Sequence, residues 1–264
     1  IVEDIAALIK AADVGEIRKN LQDFSRKRSK DNIEAQEKDP IIYFYEHFLA
    51  KYDPEKRESR GVYYTPLPVV SYIVSSIDEL LIDEFDKPDG LADNDVIILD
   101  PACGSGTFLY EVFSVIYDRI GRRSKAYWIN EYVPKMLKRI FGFELLMAPY
   151  TIAHLKLAQF LHDETGYEFG DEQRLGVFLT NTLEKGLLRD EHLGLEGFIT
   201  HEGNEASIVK NEKAVMVILG NPPYSGHSMN KGKWATNLVK KGYELPDGRR
   251  RQCYYEVDGK PLGE

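Results

Sequence analysis

The tetrapeptide Asn221-Pro222-Pro223-Tyr224 brings together groups that can act on a reluctant nitrogen nucleophile. A nitrogen whose lone pair is delocalised into a ring or a carbonyl attacks poorly. Two acceptors that hold both of its N–H bonds pull it toward tetrahedral geometry and free that lone pair. The side-chain oxygen of Asn221 supplies one acceptor. The main-chain carbonyl of Pro222 supplies the other, because consecutive prolines fix the direction of the backbone. Tyr224 adds a flat face on which a planar ring can stack, worth ~1–3 kcal/mol. Taken alone, the tetrapeptide is equally a proline-rich turn after a strand.

A second group of residues can hold a ligand beside it. Asp100-Pro101-Ala102-Cys103-Gly104-Ser105-Gly106 follows the apolar run Val96-Ile97-Ile98-Leu99 and opens a helical pattern through Phe108, Leu109, Val112, Phe113 and Ile116. Gly104 and Gly106 let backbone pass close to a bound molecule with no Cβ in the way. Asp100 ends the strand where its carboxylate can meet a cation. No Lys follows the glycines, so the loop is not a phosphate-gripping P-loop, and Leu109 stands where a dinucleotide fingerprint needs its third glycine. Glu144 closes the apolar run Ile140-Phe141-Gly142-Phe143, where a carboxylate can accept two ribose hydroxyls. Asn181, after Leu175-Gly176-Val177-Phe178-Leu179, can read a base edge or cap a turn with equal ease. Thr65-Pro66 precedes the helical pattern Val69, Val70, Ile73, Val74, Ile77, Leu80, Leu81. The free N–H groups at that helix start favour a carboxylate, although a simple proline-led start explains the same residues.

These residues need elements to carry them. The runs 96–99, 140–144, 175–179 and 214–219 have the length and continuous apolarity of buried strands, and helical patterns lie between them. That alternation predicts an α/β fold with a mostly parallel, doubly wound sheet, whose ligands bind beyond the carboxyl ends of the strands. Residues 121–139 are expected to be a polar and aromatic insert, 184–212 a connection, and the tail from Ser225 to Glu264 irregular. Residues 1–59 carry two amphipathic helical stripes and a short basic run, Arg26-Lys27-Arg28-Ser29-Lys30, and are expected to form a helical extension docked on the rest of the chain.

The 264 residues can bury a full core. The net charge of −9 sits awkwardly with a phosphate-rich partner. The basic stretch Lys231, Lys233, Lys240, Lys241, Arg249, Arg250 and Arg251 relieves it locally. No apolar run approaches the ~20 residues of a membrane helix, so no membrane partner is expected. The two cysteines, Cys103 and Cys253, form no metal-ligand spacing and fit a reducing cytoplasm. No metal is expected. A chain that opens on Ile1 suggests a piece of something longer.

The order Thr-Pro, then Asp-Pro-x-x-Gly-x-Gly, then Asn-Pro-Pro-Tyr resembles the gamma class of DNA adenine-N6 methyltransferases. Tyr52-Asp53-Pro54-Glu55-Lys56-Arg57, Arg60-Gly61-Val62-Tyr63-Tyr64-Thr65-Pro66 and Pro149-Tyr150-Thr151-Ile152-Ala153-His154-Leu155-Lys156-Leu157 are similar to the methyltransferase region of single-polypeptide type I and type IIG restriction-modification enzymes. The resemblance implies a Rossmann-like fold that uses S-adenosyl-L-methionine. Residues 1–59 would match the end of a helical coupler, and residues 60–264 a catalytic domain incomplete at its carboxyl end. It implies that Tyr64, Thr65, Pro66, Asp100, Ala102, Cys103, Gly104, Gly106, Glu144 and Asn181 line the cofactor site, and that Asn221, Pro222, Pro223 and Tyr224 hold an adenine flipped out of double-stranded DNA. A target-recognition domain, with helicase or nuclease modules in some members, would share the polypeptide. Transfer to a protein glutamine or to RNA, and a non-catalytic cofactor-binding module, remain as other readings of the same residues.

Overall fold

Four short parallel strands carry the fold in a computed structural model that describes residues 65–170, 173–188, 195–223, 233–244, 248–257 and 260–261. The helical extension expected over 1–59, Tyr64 and Tyr224 lie outside the described residues. Helix α1, Leu67–Glu84, comes first. Its buried residues Val70, Val74, Asp78 and Leu81 recur at helical spacing. Asp78 is a carboxylate within that apolar stripe. It pairs with Arg119 and accepts the Leu91 N–H at 2.8 Å, which locks α1 to the turn ahead of the first strand.

Strand β1 is Ile98–Asp100. It runs into helix α2, Thr107–Ile116, which leads to strand β2, Ile140–Glu144. Helix α3, Met147–Gln159, leads to strand β3, Val177–Leu179. Helix α4, Leu195–Glu212, leads to strand β4, Val217–Ile218. The strands are ordered β3-β2-β1-β4, and every pairing is parallel. The parallel doubly wound sheet is therefore as expected.

Alternation along the strands splits the core in two, because successive side chains face opposite sides of a sheet. Ile98, Ile140, Val177 and Val217 face a large core shared with α1, α2 and α3. Phe141, Phe143 and Phe178 face the other way, against Ala206 and Val209 of α4. This second face is covered over β2 and β3 but open over β4, where Met216 is 45% and Ile218 67% exposed among the described residues.

Two expectations need correction. The connection expected over 184–212 contains the five-turn helix α4. Its inward stripe includes a glutamate, Glu202, and the helix carries Gly197 and Gly203, so its apolar periodicity is broken. Glu202 is buried because it serves the sheet edge. It accepts the Leu179 N–H at 3.0 Å and pairs with Arg174 at 2.7 Å. The insert at 121–139, expected only to be polar and aromatic, also enters the core. Trp128, Tyr132, Val133 and Met136 are core residues, and Trp128 stacks on Tyr132 with ring centroids 5.4 Å apart. In the tail, two-residue antiparallel ladders join Tyr243–Glu244 to Arg250–Arg251 and Glu256–Val257 to Lys260–Pro261.

Candidate functional site

The strand order dictates where a ligand can enter. From β1 the chain crosses to β2 on one side, then returns past β1 to place β4 on the other. The carboxyl ends of β1 and β4 thus flank the point where the winding reverses, and open α/β sheets bind ligands at such a point. Asp100 ends β1, and Gly220-Asn221 follows β4 across the gap.

Asp100 is fully buried. Its Oδ1 accepts the Ala102 N–H at 3.1 Å, and its Oδ2 has no hydrogen-bond partner among the described residues. Burial pushes its carboxyl up to about 7; the Ala102 bond opposes this and the charge of Glu144 adds to it. A buried carboxylate with an unpartnered oxygen is costly unless a cation or donor completes it. Gly220 makes room for this group. A Cβ on Gly220 would stand 2.4 Å from Asp100 Oδ1, and its φ of +149° is rare for any other residue. Gly220→Ala is therefore expected to lose about 1–3 kcal/mol of stability to backbone strain alone, and to displace Asp100. Urea unfolding would measure the first and ligand titration the second.

The glycine loop is held from below. The Cys103 N–H donates to the Phe143 carbonyl at 2.9 Å, and the Gly104 N–H donates to Glu144 Oε2 at 3.0 Å. Glu144 Oε1 accepts the Leu146 N–H at 2.7 Å, and burial raises its carboxyl above the usual range. Both oxygens of Glu144 therefore fix backbone, one in the glycine loop and one at the start of α3. The Cys103 thiol is turned into the core, where burial pushes it well above its ordinary value, so only its backbone faces outward. Gly104 sits at φ +55° with nothing within 4 Å of where a Cβ would lie, and Gly106 caps α2 in the left-handed region. The loop thus presents backbone over open space.

The two outer candidates differ. Asn221 is half-buried, and its Nδ2 donates to Thr65 Oγ1 at 3.0 Å, across 156 residues of sequence. The residue before α1 and the residue after β4 are thereby joined. Pro66 is the N-cap of α1, and Pro222 and Pro223 are exposed. Asn181 lies after β3, where its side chain closes a turn. Its Oδ1 accepts the Leu183 N–H at 3.1 Å, and its Nδ2 donates to Glu184 Oε1 at 3.3 Å.

Three residues to which the sequence assigns no role help to build the candidate site. Gly220 is the spacer that admits Asp100; its place between an apolar run and Asn221 was the available signal. Thr182 donates to the Pro101 carbonyl and ties the Asn181 turn to the loop after β1. Lys210, on α4, donates to the Asn181 carbonyl at 2.7 Å and to Thr180 Oγ1 at 3.3 Å. Nothing in the sequence links Lys210 to that turn. His154, on α3, bonds the Val177 carbonyl through Nε2 at 3.1 Å. A cleft of about 580 Å³, lined in part by Phe141, Arg174, Phe178 and Lys213, opens near the amino ends of β2 and β3, away from these residues. Among the described residues there is no His, Cys, Asp or Glu group suited to a metal, and no helix long and apolar enough to cross a membrane.

Comparison with known proteins bears on this arrangement. A family model described as N-6 DNA Methylase matches residues 36–254. The chain is 35% identical over 83 residues to the methylase subunit of the type I restriction enzyme MjaVII of Methanocaldococcus jannaschii, a stretch covering 31% of this chain and 12% of that protein. Among solved structures, a DrdV–DNA complex is 32% identical with a TM-score of 0.56, over 72% of this chain and 17% of that one. A nuclease-deletion mutant of the type ISP restriction-modification enzyme LlaGI, in complex with a DNA substrate mimic, is 27% identical with a TM-score of 0.56. That match covers 87% of this chain and 18% of LlaGI. The chain therefore spans less than a fifth of the length of each of these relatives.

Proposed function

The chain belongs to the N-6 DNA methylase family, and on that premise we propose that it transfers a methyl group from S-adenosyl-L-methionine to N6 of an adenine flipped out of double-stranded DNA. The observation that carries this reading is the meeting of Asp100 and Gly220-Asn221 at the β1/β4 junction. It sets a buried carboxylate seeking a cation beside an amide that can accept from a conjugated amine.

The residues present fit the cofactor. The unpartnered Asp100 oxygen suits an ammonium, the Gly104 backbone borders open space, and Glu144 retains acceptor capacity for hydroxyls beyond the two N–H groups it already binds. Thr65 and Pro66 stand at the start of α1, where the positive end of the helix favours a carboxylate. Pro66 and Pro68 carry no N–H and the Val69 and Val70 N–H groups already donate to the Pro66 carbonyl, so the Thr65 hydroxyl is the side-chain donor at this end. Gly106, Ala102, the Cys103 backbone and the Asn181 turn complete the cradle. When bound, the cofactor supplies a methyl group already activated on a sulfonium. The chain's own residues then align and polarise the acceptor. Asn221 Oδ1 and the Pro222 carbonyl hold the two N6 hydrogens, Pro223 stiffens the turn, and Tyr224 offers the stacking face. A base inside the duplex is out of reach, so the site acts on an extruded one.

We further propose that the protein works within a restriction-modification system, with DNA recognition supplied by segments outside the site described. The test is transfer of labelled methyl to unmethylated genomic DNA, to RNA and to protein by the protein as its gene encodes it. Label in DNA alone is the expected result. Label confined to RNA or protein would overturn the acceptor assignment.

A further inference from the structure

The hydrogen bond between Asn221 and Thr65 has a direction. Asn221 donates through Nδ2, and Thr65 Oγ1 accepts at 3.0 Å. An amide carries its acceptor and its donors on opposite arms. With Nδ2 committed to Thr65, Oδ1 is the arm left to face an incoming amine. If the amide were turned over, Nδ2 would face that amine instead, donor against donor, and the site could not hold the N6 hydrogens. A threonine hydroxyl can support either arrangement, because it has one proton to donate and lone pairs to accept with. What Thr65 does with its proton therefore sets the amide of Asn221.

We propose that Thr65 is a positioning residue that orients Asn221 in response to the cofactor; this rests on the methyltransferase reading above. Thr65 stands at the entry to the eighteen-residue helix α1, on the residue before its N-cap. When Thr65 donates its proton to a carboxylate held at that helix start, its oxygen can only accept from Asn221. The result is a polarised run, Asn221 N–H to Thr65 O–H to carboxylate, in which each bond strengthens the next. Without a carboxylate, Thr65 is free to donate to Oδ1, and the overturned amide competes. Loading of the donor site thereby selects the acceptor geometry 156 residues away in sequence. The two sites are coupled through one hydroxyl, as linkage requires of any ligand that favours one of two states.

Three forms of the protein as its gene encodes it separate this from a plain binding role: wild type, Thr65→Val and Thr65→Ser. Turnover on unmethylated genomic DNA is measured at saturating cofactor, so that weakened cofactor binding alone cannot lower it. Thr65→Val is expected to lose about 10²-fold in kcat, the size of a misplaced reacting group, and Thr65→Ser to recover most of that loss. The second readout needs no turnover. The side-chain amide resonance of Asn221, assigned with the Asn221→Asp variant, is followed on adding S-adenosylhomocysteine, which keeps the carboxylate, or 5′-methylthioadenosine, which lacks it. A shift with S-adenosylhomocysteine only, in wild type and Thr65→Ser but not in Thr65→Val, is the expected pattern. Full kcat in Thr65→Val at saturation, or the same amide response in all three proteins, would overturn the inference. A wild type that methylates no DNA would instead refute the acceptor reading, and the amide response would still decide the role of Thr65.

Discussion

Asn221→Ala is expected to lower methyl transfer to DNA by roughly 10²–10³-fold while leaving cofactor binding largely intact. The magnitude is that of removing one preorganised hydrogen-bonding group from a site where charge shifts during reaction. On the proposed reading, Asn221 Oδ1 is one of two acceptors for the amine, and the Pro222 carbonyl could not hold both hydrogens alone. The substitution removes no core contact, since Asn221 is only half-buried, so the fold should survive it. Turnover at saturating cofactor, with cofactor affinity and thermal unfolding alongside, checks the expectation. The pattern identifies a residue acting after binding: kcat falls, and the affinity for the donor does not. Activity near wild type would mean that Asn221 only shapes a turn.

The second large effect concerns Asp100. Its carboxyl is raised to about 7 by burial, against about 4 in an unfolded chain. A folded-state value above the unfolded one means that the folded protein holds the extra proton between those limits. The contribution to stability is therefore full below pH ~4 and is lost as pH rises through about 7. Asp100→Asn cannot ionise, so the cofactor-free variant should show a flatter stability profile across that window than wild type does. On the proposed reading, cofactor binding reverses the preference, because an ammonium placed beside Asp100 would favour the carboxylate. Binding below pH 7 should then release a proton, and wild-type affinity should climb toward neutrality and level off above it. Calorimetry in two buffers of different ionisation enthalpy measures the proton directly. Asp100→Asn should bind without that release and about 10- to 100-fold more weakly, the value of a hydrogen bond to a charged group. Pairing of the ammonium elsewhere would leave both affinity and proton count unchanged in the variant.

Much of the candidate site was legible because its parts are local in sequence. Asp100 follows an apolar run directly, and Asn221 follows another after a single glycine. A strand end and its loop need no tertiary information to be joined. The parallel sheet followed from the same runs and the helices between them. What the sequence hid was what depends on partners far along the chain. Helix α4 was missed because Glu202 occupies its inward stripe, and a carboxylate there looks like a break in the pattern until the free Leu179 N–H of the edge strand is known. Trp128 and Tyr132 looked like an insert because the polar residues around them masked a stacked pair in the core. Glu144 was placed at the end of β2, but its hold on the Gly104 N–H is a contact across forty residues. The Thr65–Asn221 bond was illegible for the same reason: each residue was assigned to a different ligand, and only the fold brings them together.

The central claim is that the Asn221 loop presents acceptors to N6 of an adenine in DNA. It is tested most directly by digesting treated, previously unmethylated DNA to nucleosides and weighing the products. N6-methyldeoxyadenosine from wild type, with little or none from Asn221→Ala, is the predicted result. A methylated cytosine, or N6-methyldeoxyadenosine in equal amount from both proteins, would contradict it.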